Sequence, residues 1–168
     1  MKMNEHALHL LKALADAPGA SGFEDEVVKV ARQYAASIGE VKEDFLRNLY
    51  IYRKENTGNK PVILIDGHSD EVGLIVHSIK PNGTLRFVGL GRMDPRGLAA
   101  SELLVRTVDG DYVRGIIGLK PPHFSNGNTN ASLDLQSFSI DIGAGSAREA
   151  AEVFRIGIGE PVVPATVC

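Results

Sequence analysis

The sequence predicts an α/β piece followed by a small, mostly β module, with the change near residue 73. Three observations predict it. Two apolar stripes at helical spacing lie ahead of Gly39. An unbroken run, Val62-Ile63-Leu64-Ile65, has the length and composition of a strand covered on both faces. Beyond Gly73, alternating apolar segments flank turn residues at short intervals, and helical spacing almost disappears.

The first stripe is Ala7, Leu8, Leu11, Leu14 and Ala15, with Asn4 placed to cap it and Pro18-Gly19 to end it. The second is Val27, Val28, Ala31, Tyr34, Ala35 and Ile38. Ahead of it, Ser21-Gly22-Phe23-Glu24 reads as a capping box, and Gly39 as the stop. Phe45 to Arg53 reads as a strand, Asn56-Thr57-Gly58-Asn59 as a turn, and Val62 to Ile65 as the buried strand. Hairpins are expected around Pro81-Asn82-Gly83 (Leu74–Ile79 with Thr84–Val88) and around Asp109-Gly110 (Leu103–Val108 with Tyr112–Leu119). Phe138, Ile140 and Ile142 alternate with polar residues as a short strand. Ser146-Ala147-Arg148-Glu149 is a second capping box, opening a helix to about Phe154, and Ile156 to Val163 returns to extended chain. The Asn- and Ser-rich stretch from His123 to Gln136 reads as a mobile loop.

Composition narrows the function. With 168 residues, 43% hydrophobic and 23% charged, the chain has the make-up of one soluble domain or two small ones. A net charge of -3 argues against a general nucleic-acid binder, which carries a basic face. No run of ~18 apolar residues is present to span a membrane, and Glu5, His6, His9 and Lys12 interrupt any signal-peptide core. The one cysteine, Cys168, forms no intramolecular disulfide, and a cytoplasmic location is expected.

The stretch Asp66-Gly67-His68-Ser69-Asp70-Glu71 ends the apolar run in a histidine and three acids. In extended chain, residues two apart share a face, so His68 and Asp70 would lie side by side. A metal-bound histidine gives its other ring proton to a carboxylate or carbonyl, and Asp70 could accept it or bind metal itself. The plainer reading also stands: H-x-D is common by chance, and a polar cluster after a buried strand is often the chain reaching water. His77 lies within an alternating strand and His123 follows Pro121-Pro122, a rigid turn. His6 and His9 lie on the first helix with only Glu5 for acidic company. Asp141 is placed to bond a turn or cap the following helix. A carbohydrate hydrolase would need two carboxylates across a cleft, whereas Asp70 and Glu71 are adjacent and on a strand face opposite ways.

Six stretches, taken in order, resemble the dinuclear metallo-aminopeptidases that include glutamyl and deblocking aminopeptidases and the tetrahedral aminopeptidase particles, some labelled endoglucanase. They are Ser21-Gly22-Phe23-Glu24, Asn48-Leu49, Gly67 to Gly73, Gly115 to His123, Asp141-Ile142-Gly143-Ala144, and Ile158 to Val163. The resemblance implies an N-terminal part of an α/β metallopeptidase domain, residues 1–72, followed by a β-rich, barrel-like dimerisation module over 73–164. Residues 165–168 would begin the return to the peptidase domain. It also implies a peptide substrate, homo-oligomers formed through the β module, and two divalent ions, zinc or cobalt, in the intact enzyme. His68 matches the family's first metal-binding histidine and Asp70 the aspartate that orients the site.

This chain departs from the family in one large respect. The Asp-Asp-Arg stretch, the Glu-Glu pair, the further carboxylate and the late histidine that complete the family's site are not among its residues. The chain alone is therefore expected to hold no metal or one weakly bound ion, and to be inactive, or else to serve as a non-catalytic assembly module. Two smaller departures are Arg47, where the family commonly has glycine before Asn48, and Arg92, where a second glycine is usual.

Overall fold

A cap starts the first helix: Asn4 Oδ1 accepts the His6 amide at 3.0 Å, and α1 runs over Glu5–Asp16. The structure, a computed structural model, describes residues 4–59, 61–119 and 135–168. It separates into two units, Met1–Glu71 with Val167–Cys168, and Val72–Thr166.

In the first unit, α1 precedes α2 (Asp25–Ala35), a hairpin of β1 (Gly39–Glu43) and β2 (Leu49–Arg53), and the segment 61–71. Helix α2 buries Val27, Val28 and Ala35 from its predicted stripe. Helix α1 buries none, and Leu8 and Leu11 stay exposed. Three expectations are corrected here. Gly39 does not stop α2; the helix closes at Ala36, and Gly39 opens β1, whose sequence Gly-Glu-Val-Lys-Glu gives little apolar signal. Phe45–Asn48 is not strand but the turn between β1 and β2. There the Asp44 carboxylate accepts the Leu46 and Asn48 amides at 2.9 and 3.0 Å, and Arg47 takes φ 68°. This is the left-handed region that glycine enters without strain. Arg92 shows no such conformation, because Gly91 before it carries the positive φ.

The third correction is the largest. Val62 to Ile65 forms no strand and is 79–93% exposed. A strand exists only through its ladder partner, and among the described residues β1 and β2 pair only with each other. Among the described residues nothing covers this run.

The second unit is a closed antiparallel barrel. Its strands are β3 (Gly73–Ile79), β4 (Leu85–Leu90), β5 (Glu102–Arg106), β6 (Tyr112–Gly118), β7 (Ser139–Asp141) and β8 (Pro161–Pro164). They join in the order β3-β4-β7-β6-β5-β8, and β8 returns to β3. Both predicted hairpins form. Gly83 turns the first at φ 87°, with its Cα so close to Ala144 that a Cβ would stand 2.3 Å from the Ala144 carbonyl oxygen. Alternation delivers Leu74, Val76, Leu85, Phe87, Leu103, Val105, Ile117, Ile140 and Val162 to the interior, joined by Phe138 and Ile142. Gly115 leaves room for them: a Cβ there would lie 2.7 Å from Ile140 Cγ2. His77 sits where the β3–β4 register slips, and it faces solvent.

A short helix, α3 (Pro95–Leu98), was not expected, although Asp94-Pro95 is a cap followed by a proline at the first helical position. Helix α4 (Ala147–Glu152) is capped as expected, with the Ser146 hydroxyl accepting the Glu149 amide at 3.1 Å. Extended chain after it begins only at Pro161, not Ile156. The readings on Pro121, Pro122, His123 and the loop up to residue 134 lie outside the described residues; Leu135–Ser137 form a single 3-10 turn. Among the described residues no helix is long and apolar enough to cross a membrane.

Candidate functional site

His68 and Asp70 meet as their spacing suggests. His68 Nδ1 lies 2.9 Å from the Asp70 backbone oxygen and 3.1 Å from Asp70 Oδ1. A carbonyl can only accept, so Nδ1 is the donor in this bond, and in the neutral ring Nε2 then keeps its lone pair. The imidazole is 85% exposed, leaving Nε2 accessible, which is the geometry of a histidine ready to ligate metal through that nitrogen.

The other oxygen of Asp70 is held by a residue distant in sequence. Ser21 Oγ donates to Asp70 Oδ2. This hydroxyl is the main reason the Asp70 carboxyl stays below its ordinary pKa; burial opposes the shift, and the His68 ring adds to it. Ser21 is therefore not the cap predicted for α2. That helix begins after Glu24 with no side-chain cap, and Glu24 Oε1 accepts the Gly22 amide at 2.8 Å. A missing side-chain cap costs about 1 kcal/mol of helix stability.

Glu71 turns away from Asp70. Its amide donates to the Gly19 oxygen at 2.7 Å, and its Oε1 accepts the Gly19 amide at 3.1 Å. Ala20 and Glu71 form an isolated parallel bridge. The two adjacent acids thus serve different partners and do not face each other across a cleft. Sequence reasoning missed Ser21 and Glu71 as site-building residues, because their partners lie 49 and 52 residues away.

The remaining candidates lie elsewhere. His6 and His9 gather around Tyr34, with ring centres 5.4 and 6.2 Å away, and His9 Nδ1 hydrogen-bonds the Tyr34 hydroxyl. Asp141 Oδ1 accepts the Gly143 amide at 2.8 Å, a turn role. Glu160 pairs with Arg106 at 2.9 Å. Among the described residues no group of three or more His, Cys, Asp or Glu side chains is placed to hold a metal ion. A catalytic zinc commonly takes about three protein ligands. His68 and Asp70 together could offer fewer donors than that, so these residues do not by themselves fit a complete metal centre.

Residues 48–167 match the M42 glutamyl aminopeptidase family. The lysyl aminopeptidase of Pyrococcus furiosus is 36% identical over 160 residues, covering 90% of this chain and 44% of that protein. The crystal structure of a TET aminopeptidase from the marine sediment archaeon Thaumarchaeota archaeon SCGC AB-539-E09 superposes with a TM-score of 0.88 at 38% identity, covering 97% of this chain and 45% of that one. The TET1 peptidase of Pyrococcus horikoshii, which can assemble into a tetrahedron or a large octahedral shell, superposes with a TM-score of 0.75 at 28% identity, covering 94% and 46%. The chain thus spans less than half the length of these relatives. The matched span takes in His68, Asp70 and the whole barrel unit, and the chain belongs to the M42 glutamyl aminopeptidase family.

Proposed function

We propose that this chain carries the amino-terminal part of a metal-dependent aminopeptidase, in which His68 binds a divalent ion through Nε2 and Asp70 orients it. The observation that carries the reading is the bond from His68 Nδ1 to Asp70 within an otherwise exposed ring. Two divalent ions, zinc or cobalt, would polarise a peptide carbonyl and activate water in the intact enzyme. This chain would hold at most one, weakly, because the ligand set among its residues is incomplete. A cytoplasmic setting fits a chain with one cysteine.

The test has two arms. Zinc or cobalt added to the 168-residue chain should perturb the His68 ring nitrogen signals weakly and saturably, and Asp70→Ala should weaken that response. Aminoacyl substrates should show little turnover with either metal. Robust metal-dependent hydrolysis by this chain would overturn the incomplete-site reading.

A second reading rests on the barrel. A closed ladder with its own core is a self-sufficient unit, and the Pyrococcus horikoshii relative assembles. We propose that the unit pairs with a second copy or a longer relative, as a non-catalytic assembly module. Sedimentation of the whole chain across concentrations should reveal a dimer or larger species, and a strictly monomeric chain would remove this reading.

A further inference from the structure

The hydroxyl of Ser21 stands where a helix cap was expected, yet it bonds Asp70. We infer that Ser21 is a positioning residue: it holds the Asp70 carboxylate in one rotamer so that Oδ1 faces His68. The functional value of that rotamer rests on His68 being a metal ligand; the geometry does not.

The two carboxylate oxygens are divided between two partners. Oδ2 receives Ser21 Oγ, and Oδ1 lies 3.1 Å from His68 Nδ1. The Asp70 side chain is 39% exposed, so packing does not lock it, and staggered rotamers remain open to a carboxylate lacking an anchor. His68 cannot anchor it alone, since the ring is itself mostly solvent-exposed and its Nδ1 proton is shared with the Asp70 backbone oxygen. The backbones on either side of the Ser21–Asp70 bond are fixed to each other by their neighbours. The turn carrying Ser21 is tied to the chain around Asp70 by both Gly19–Glu71 hydrogen bonds and the Ala20–Glu71 bridge. Ala20 is 1% exposed, and Gly19 sits so close to α2 that a Cβ would lie 2.6 Å from Val27 Cγ2. Glu71 thus sets the distance between the two segments, and Ser21 sets the carboxylate. A serine serving only α2 would bond an amide of its first turn, and α2 has no such side-chain cap.

The test is nuclear magnetic resonance on the metal-free 168-residue chain. Side-chain couplings of Asp70 report its rotamer, and the His68 ring nitrogens report the tautomer. The wild-type chain should show one Asp70 rotamer and a His68 proton on Nδ1. Ser21→Ala and the near-isosteric Ser21→Cys, a weak donor, should average the Asp70 couplings. They should also lower the ratio of the Nδ1–H to the Nε2–H form by about two- to fivefold, the scale of one weakened hydrogen bond. Ser21→Thr, which keeps the hydroxyl, should preserve both signals. Unchanged Asp70 couplings in the Ala and Cys variants, accompanied by faster amide exchange in the first turn of α2, would overturn the inference in favour of a helix-end role. So would averaged couplings in the wild type, or loss of the folded unit in both variants. If the rotamer result holds but zinc leaves His68 unmoved, the metal-ligand reading fails while the positioning of Asp70 stands.

Discussion

Leu74 and Val76 are 1% exposed, whereas Ile63 and Ile65, close before them in the chain, are 86% and 93% exposed. The side chains are of one kind; what differs is the backbone ladder beneath them. In the barrel every strand has two neighbours, so no edge is left and alternation sends each second residue inward. In the first unit, the apolar run has no partner strand among the described residues, and its side chains have no interior to enter. Burial therefore follows from strand pairing more than from hydrophobicity. An exposed run with high β propensity is also a site for unwanted pairing between chains.

The sharpest way to break the comparison is to remove matching bulk from each side. Phe138→Ala, in the barrel interior at 1% exposure, should cost about 3–5 kcal/mol. Ile63→Ala should change stability by less than about 0.5 kcal/mol. Urea unfolding followed by circular dichroism measures both, since the chain has no tryptophan. A loss above about 1 kcal/mol for Ile63→Ala would mean that the run is packed in solution.

A smaller effect sharpens the contrast through charge. Arg106 and Glu160 pair at 2.9 Å with side chains 29% and 17% exposed, so Glu160→Gln should destabilise the barrel by about 2 kcal/mol, between the exposed and buried limits. Arg148→Gln breaks a pair exposed at 84% and 65% and should fall within about 0.5 kcal/mol of wild type in the same unfolding experiment.

Arg47→Gly should act the other way. It relieves a left-handed arginine at a cost of about 1–2 kcal/mol, and gives up exposed bonds to Asp25 and Glu43 worth less than about 1 kcal/mol each. Thermal melting should show a gain of a few tenths to about 1 kcal/mol, confined to the first unit. A net loss would mean that the two ion pairs outweigh the strain.

The smallest effect is a pH dependence. Arg155 holds the Asp109 carboxyl below its ordinary range, first by hydrogen bond and then by charge, against an opposing burial penalty. A depressed folded pKa adds stability above the unfolded value of about 3.9, which is lost as pH falls through the lower folded value. Asp109→Asn should therefore narrow the difference between neutral and acid stability, and acid titration of the unfolding midpoint reads it. An identical acid profile in wild type and variant would show that the pair contributes nothing.

How much could be read from the sequence follows the range of each signal. Pro81-Asn82-Gly83 and Asp109-Gly110 specify their turns within a few residues, and both hairpins form as read. Ser146 caps α4 for the same local reason. The errors occur where a local pattern was satisfied from afar. Ser21 and Glu24 have capping-box spacing, but the Ser21 hydroxyl is turned to Asp70, which no local window contains. Val62 to Ile65 has strand composition, but composition does not supply a neighbour. His68 and Asp70 were legible because two residues of extended chain suffice to place them together.

The pairing of β8 with β3 sets Leu74 opposite Val162 and Ile75 opposite Pro161. Antiparallel partners lie about 5 Å apart, so the chain enters and leaves the barrel almost at one point. A host loop whose two ends stand a strand's width apart could accept it whole, and a short turn could take its place without pulling the flanking segments out of position.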